Sequence, residues 1–173
     1  MRWFYYVITF LLFFVFSLLQ SSFFPYFAIW GAVPNLVFCL FFTLIFFEPQ
    51  QHYTDGFFAA IMAGLFADMF LPSYFGVSTG AFLVAYITYK IFGHFLRENQ
   101  QKHLVFYFMG MFSLLFLVHQ ATLFLFSLAL DFPFSFGITF LVSLVYGVAF
   151  AMVGFYIGKK IFARHFDNQL KLF

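Results

Sequence analysis

A few polar side chains interrupt the long apolar segments of this 173-residue chain. They are Asn35, Asp68, His119 and Gln120. A carboxylate costs roughly 2.5–3.5 kcal/mol or more to place at the centre of a membrane helix, so Asp68 needs a compensating partner. Such a group could lock helices together through hydrogen bonds, receive a segment of another protein, or line a pocket for a ligand or an ion. The segment around Asp68 is therefore the first place to look for function.

Catalytic chemistry is poorly supported by the residue types at hand. An intramembrane protease or lipid transferase needs a nucleophile with a base, paired acids, or a set of metal ligands. Asp68 is the one acid inside an apolar segment, Asp131 belongs to a turn, and no His-x-x-x-His or Glu-x-x-His pattern occurs. We therefore predict that the chain is not an enzyme, with no catalytic residue, no cofactor and no metal site.

The composition is that of an integral membrane protein. Hydrophobic residues make up 65% of the chain, charged residues only 8%, and the mean hydropathy is +0.99. A soluble domain of this size would need a charged exterior. The 36 phenylalanines are interpreted as lipid-facing bulk. No basic run suited to nucleic acid occurs, and the single cysteine, Cys39, excludes a disulfide framework within the chain.

The apolar runs predict one all-α domain over residues 1–173, a six-helix transmembrane bundle. The second and third runs are short, only ~21–24 Å at ~1.5 Å per residue, but the polar turn that begins at Glu48 favours full spanning over a re-entrant hairpin. The first run has no cleavage site of the kind that a signal peptide carries, so it is predicted to be a retained span. The predicted spans are 3–24, 34–47, 56–71, 76–96, 104–130 and 136–162.

The distribution of basic residues predicts the orientation of this bundle. If six spans alternate, all eight Lys and Arg residues fall on the same side of the membrane. Under the positive-inside rule both termini are then cytoplasmic. The residues concerned are Arg2, Lys90, Arg97, Lys102, Lys159, Lys160, Arg164 and Lys171.

The same topology places the buried polar residues at one depth. Asn35, Asp68, His119 and Gln120 all fall in the outer half of the membrane, level with Gln20, Ser21 and Ser22 at the end of the first run. These groups could form a single hydrogen-bonded cluster. The cluster is interpreted as structural, as a partner-binding site, or as a ligand or ion pocket. Small residues mark predicted helix contacts, because they let helix backbones approach within a membrane. The predicted helix-packing residues are Pro34, Gly56, Ala60, Gly64, Gly76 and Gly80.

Residues 34–80 resemble the MreD family, the multi-spanning membrane component of the bacterial rod-shape system. The resemblance lies in Pro34-Asn35-Leu36 at a helix start, the turn with Glu48-Pro49, Gly56 at the next start, Gly64-Leu65-Phe66-Ala67-Asp68, and Gly76. Its characteristic positions would be Pro34, Asn35, Gly64, Asp68 and Gly76. The turn after Asp68, Met69 to Phe75, departs from the aliphatic-rich turn common in that family.

The resemblance implies a non-enzymatic scaffold in the bacterial cytoplasmic (inner) membrane. Such a scaffold would support peptidoglycan synthesis and cell shape. The implied partners are an MreC-like single-span protein, the transglycosylase and transpeptidase of cell elongation, the actin-like MreB directly or indirectly, and membrane lipid.

The alternative is a substrate-binding subunit of an energy-coupling-factor vitamin transporter, a family that MreD resembles in fold. Those subunits typically dock their transport partner through an Ala-x-x-x-Ala-type stripe in helix one, and residues 3–24 contain no alanine. Their pockets also tend to carry more polar groups in the outer turns, which are sparse here. Both observations favour the scaffold.

Overall fold

The computed structural model describes residues 2–47, 53–70, 74–95, 104–131 and 137–170. Long apolar runs satisfy their backbone groups within helices, as lipid requires, and the described residues form six α-helices, which confirms the predicted all-α class and helix number. The helices are α1 (Arg2–Leu18), α2 (Leu36–Phe47), α3 (Tyr53–Phe70), α4 (Val77–Phe95), α5 (Leu104–Leu130) and α6 (Ile138–Leu170). Helix α1 continues through one π-helical turn, Leu19–Phe23, into a short 3₁₀ turn, Phe24–Phe27.

Among the described residues, three helical stretches are long and apolar enough to cross a membrane: Trp3–Phe27, Leu104–Leu130 and Ile138–Lys160. Two apolar helices are shorter, Leu36–Phe47 and Val77–Gly93. At ~1.5 Å per residue the 12 residues of α2 extend over only ~18 Å. The short second helix is therefore confirmed, and the number of membrane crossings stays a prediction.

Successive helices run in opposite directions. Helices α1 and α3 are parallel, since the Tyr6 hydroxyl donates to Asp55 Oδ1 (2.9 Å) at their first turns and Phe14 packs on Phe66 near their other ends. Helices α5 and α6 are antiparallel, because Phe116 contacts Phe140 whereas Phe108 contacts Phe155. The start of α1 and the start of α2 therefore lie at opposite ends of the bundle, called here the α1 end and the α2 end.

Helix α2 is the centre of the bundle, and nine of its 12 residues are buried. Its rings pack against α4 and α5: Phe42 lies 4.9 Å from Phe108, and Phe41 lies 5.1 Å from Phe82, between ring centroids. The interpretation of phenylalanine as lipid-facing bulk is therefore wrong for the nine phenylalanines that are fully buried. These fully buried phenylalanines are Phe13, Phe38, Phe41, Phe42, Phe82, Phe108, Phe112, Phe116 and Phe155.

A stripe of small residues on α6 lets α2 approach closely. A Cβ added at Gly154 would lie 2.6 Å from Thr43 Oγ1, and one added at Gly158 would overlap the Phe47 ring. One end of the stripe is tied by a polar contact, in which Cys39 Sγ donates to the Gly147 carbonyl (3.4 Å). Close backbone packing at small residues is the usual basis of helix association in membranes.

The predicted helix limits hold to within a few residues at most ends. The predicted limits of α5, 104–130, are those of the observed helix. Helix α3 begins earlier than predicted, at Tyr53, because Asp55 is favourable in the first turn of a helix. Helix α6 continues to Leu170, beyond the predicted limit of 162, since hydropathy marks where the apolar residues end and not where the helix ends. The polar turn predicted from Glu48 onward lies largely outside the described residues, since 48–52 are not among them.

Candidate functional site

The Asp68 carboxylate is bound by the start of α4. Oδ1 accepts a hydrogen bond from the Ser78 N–H (2.8 Å). Oδ2 accepts from the Gly76 N–H (2.9 Å), the Thr79 N–H (3.2 Å) and the Thr79 hydroxyl (2.8 Å). The side chain is only 6% exposed. Four donors thus compensate the cost of burying this carboxylate.

Gly76 explains why a residue of the preceding helix performs this capping. It stands directly before α4 with φ +99°, a conformation that L side chains rarely adopt. A glycine in this position has no side chain to accept from the first N–H groups of its own helix, so the acceptor must come from elsewhere. The positive end of the α4 dipole favours a carboxylate there, whereas the C-terminal end of α3 does not. Asp68 therefore holds α3 and α4 together.

The close approach of α3 and α4 depends on Gly64, one turn before Asp68. A Cβ added at Gly64 would overlap Thr79 Cα and lie 2.8 Å from both Thr79 N and Thr79 Oγ1. Ala60 and Gly56 continue the same stripe and are buried. Gly80 faces α5, where an added Cβ would lie 3.2 Å from Phe126 Cε2. The small-residue stripe of α3 thus contributes to packing inside this chain.

A second helix start, that of α2, is capped in the same way by two side chains. Asn35 Oδ1 accepts from the Phe38 N–H (3.0 Å), as expected of an N-cap asparagine. Gln20 Oε1, from the π-helical turn of α1, accepts from the Val37 N–H (3.1 Å). Pro34 is buried and directly precedes Asn35, and its carbonyl accepts from the Leu36 N–H (3.1 Å). The two shorter apolar helices, α2 and α4, therefore each start with an N–H group that is bound by an acceptor from the preceding helix.

The predicted single cluster of Asn35, Asp68, His119 and Gln120 does not form. Asn35 and Asp68 bind separate helix starts. His119 is 2% exposed and lies between two rings, 5.0 Å from Phe38 and 4.7 Å from Phe82. Neither of its ring nitrogens has a hydrogen-bond partner among the described residues. The half-buried Gln120 has no described hydrogen bond to the other three residues.

Residues 76–80, Gly-Val-Ser-Thr-Gly, fit the Gly-x-Ser-x-Gly pattern of serine hydrolases, so the prediction of no catalytic residue missed one candidate, Ser78. In those enzymes the serine stands on a strand-to-helix turn with its hydroxyl exposed. Here Ser78 is the second residue of a helix, is 1% exposed, and its hydroxyl has no partner within the described residues. Within the described residues the hydroxyl of Ser78 and the ring of His119 share no hydrogen bond, so this serine is not paired with the base that activates a nucleophile.

No group of three or more His, Cys, Asp or Glu residues within the described ranges could hold a metal ion. A groove of about 300 Å³ lies between the end of α1 and α6. It is lined by Phe23, Phe24, Phe27, Pro34, Tyr146 and Phe150.

No family model, no curated protein and no solved structure matches this chain. The resemblance of residues 34–80 to the MreD family therefore stays a prediction from those residues. The structure gives four of its five characteristic positions a role in the fold, through capping at Asn35 and Asp68, backbone conformation at Gly76 and close packing at Gly64.

Sequence reasoning named Gln20 among the polar groups at this depth but not its bond to the start of α2, and it missed the donors at Gly76, Ser78 and Thr79. A signal was present, since Asp68 ends one helix and a Gly-x-Ser-Thr helix start follows only a few residues later. A short connection of this kind brings the two helix ends together, so a carboxylate and the free N–H groups of the next helix become neighbours. Depth alone, used in the prediction, does not distinguish neighbours from residues on distant helices.

Proposed function

We propose that this chain is a non-enzymatic membrane scaffold of MreD type, which supports peptidoglycan synthesis and cell shape through contacts with an MreC-like partner. The observation that carries the proposal is the use of the motif residues. Asn35, Gly64, Asp68 and Gly76 build two capped helix starts and one close helix contact, and they line no polar pocket. Residues with these roles fix the shape of the bundle, and a fixed shape is what a scaffold presents to its partners.

The exterior of the bundle supports the same function. Broad apolar faces remain exposed on α1, including Val7, Leu11 and Val15, and on α6, including Leu141 and Val145. Within lipid such faces can pack against the single helix of a partner without a change in fold. The groove between α1 and α6 is apolar, unlike a vitamin site, where a few polar groups would fix the ligand.

The proposed location is the bacterial cytoplasmic membrane, with the α1 end facing the cytoplasm. Lys90, Lys159 and Lys160 are the basic residues whose side chains the structure describes, and all three belong to the C-terminal parts of α4 and of the apolar stretch of α6. Those parts lie at the α1 end, because both helices begin at the other end. The positive-inside rule then places the α2 end outside the cytoplasm.

The orientation can be tested with single cysteines. Cys39 is buried, so the unmodified chain should resist a membrane-impermeant maleimide and serves as the control. In intact cells Asp131→Cys, at the α2 end, should be labelled from outside, whereas Lys160→Cys should be labelled only after permeabilisation. Both positions are exposed and carry a charge in the natural chain. Their access to the reagent therefore differs only through the side of the membrane on which each lies. The reverse labelling pattern would contradict the proposed orientation.

The scaffold itself is tested by purification of the tagged full chain in mild detergent from membranes of its own bacterium. We expect mass spectrometry to find an MreC-like single-span protein and the elongation transglycosylase and transpeptidase. An unrelated tagged multi-span protein from the same membranes controls for non-specific recovery. Recovery of an ATPase with its coupling subunit would instead identify a transporter subunit, and recovery of neither set would overturn the scaffold proposal.

A further inference from the structure

The segment that follows the π-helical turn of α1 displays its aromatic rings outward. Tyr26 is 86% exposed and Trp30 is 69% exposed. Phe23, Phe27 and Ile29 are also exposed. We call residues 23–32 the aromatic turn. Its side chains are among the least covered in the described part of the chain, although nearly all of them are apolar or aromatic.

The backbone of the aromatic turn fixes Trp30 at a tip. Trp30 and Gly31 have φ values of +51° and +76°, and the Ala32 N–H donates to the Ile29 carbonyl (2.9 Å). Positive φ at both central residues defines a type I′ turn. A tryptophan in the left-handed region costs about 1–2 kcal/mol. Backbone strain of this kind is concentrated at functional sites, so the exposed position of Trp30 needs an explanation.

The chemistry of the aromatic turn matches the boundary between lipid tails and head groups. No charged residue occurs between Phe23 and Pro34. Tyrosine and tryptophan combine an apolar ring with a polar edge, and they are enriched at the two faces of a membrane. Removal of apolar surface from water is favourable by roughly 25 cal/mol for each Å². Rings that contacted only water would lose this free energy.

The apolar groove beside the aromatic turn extends this surface toward the lipid tails. Phe23 and Phe27 line both features, and Pro34, Tyr146 and Phe150 complete the opposite wall. The Tyr146 hydroxyl donates to the Phe27 carbonyl (3.5 Å), which leaves an apolar lining for an acyl chain. The turn also continues directly from Trp3–Phe27, a stretch that can cross a membrane, so lipid is the neighbour it meets first.

We propose that the aromatic turn is a lipid-contact surface set in the head-group layer of the membrane. Tyr26 and Trp30 lie at the level of the head groups, and an acyl chain of a phospholipid occupies the groove beneath them. This inference rests on the membrane insertion contained in the proposed function, and it does not depend on the rod complex.

The two tryptophans of the chain provide the test, because Trp3 lies in the first turn of α1 and Trp30 lies in the aromatic turn, beyond the other end of α1. Trp3→Phe leaves Trp30 as the single reporter, and Trp30→Phe leaves Trp3, which is 84% exposed in the first turn of α1. Each purified full-length variant is reconstituted in phosphatidylcholine vesicles whose acyl chains carry bromine either near the head group or near the chain end. Circular dichroism establishes that both variants keep their helices.

The expected result is that bromine near the head group quenches Trp30 more strongly than bromine near the chain end, while iodide in the water quenches it weakly. Quenching of Trp30 by iodide without quenching by either lipid would place the turn in water and overturn the inference, and so would resistance to all three quenchers. If Trp3 is quenched by lipid and Trp30 is not, insertion stands and only the lipid contact fails. Absence of an MreC-like protein in the purification would leave this result unchanged.

Discussion

Asp68→Ala is expected to lower the free energy of unfolding by about 3 kcal/mol or more, because each buried donor left without an acceptor costs about 1–3 kcal/mol. Three backbone N–H groups at the start of α4 lose their acceptor, and so does the Thr79 hydroxyl. The thermal unfolding midpoint in detergent micelles measures the loss. Amide hydrogen exchange should accelerate most at Gly76, Ser78 and Thr79, since their N–H groups are the ones released.

Two variants make this test specific for the capping interaction. Asp68→Asn keeps one acceptor oxygen and loses the charge, so its midpoint should fall between those of the natural chain and Asp68→Ala. Asp131→Asn removes a carboxylate that is exposed, at φ +50°, a conformation that asparagine tolerates, and should change little. Equal midpoints for Asp68→Ala and Asp131→Asn would show that the carboxylate of Asp68 does not hold α4.

Gly64→Ala is expected to destabilise the bundle by about 1–3 kcal/mol, the usual cost of overpacking a tight contact. The added methyl group meets the backbone of Thr79, which cannot move aside as a flexible side chain would. The helices must therefore separate, and separation also lengthens the hydrogen bonds from Ser78 and Thr79 to Asp68. The exchange of those two amides should accelerate together with the fall in the unfolding midpoint.

Gly110→Ala is the matched control for this second change. Gly110 also lies inside a helix, but nothing lies within 4 Å of an added Cβ. Both substitutions gain the same intrinsic helix propensity, up to about 1 kcal/mol, so the difference between them isolates the steric term. Similar midpoints for the two variants would contradict the close contact between α3 and α4.

The helices were predictable because their signal is local. A run of apolar residues between turns indicates a helix wherever it packs, and α5 was predicted over its full length for that reason. It was predictable that Gly64 lies at a helix contact, since a small residue on a helical stripe favours the close approach of another helix. Its neighbour, Thr79, was not, because the stripe does not say which helix faces it.

The polar cluster was mispredicted for a related reason. Equal depth in a membrane predicted that Asn35, Asp68 and His119 are neighbours, but Asn35 and Asp68 each accept from a helix start that is close to them in the chain. Asp68 and the start of α4 are only a few residues apart, and Asn35 binds within its own helix. His119 is enclosed by rings of Phe38 and Phe82, a pairing set by the packing of α2, α4 and α5 that no spacing in the sequence expresses.

The acceptors that Gln20 and Asp68 supply have a consequence for biogenesis. Helices α2 and α4 each begin with N–H groups that are satisfied by the helix synthesised just before them, and an unsatisfied N–H in hydrocarbon costs several kcal/mol. In the membrane protein proposed above, neither short helix would leave the translocon cheaply on its own. The nascent chain would then be best delivered to the bilayer as hairpins, α1 with α2 and then α3 with α4, and the order of synthesis would supply each partner in time.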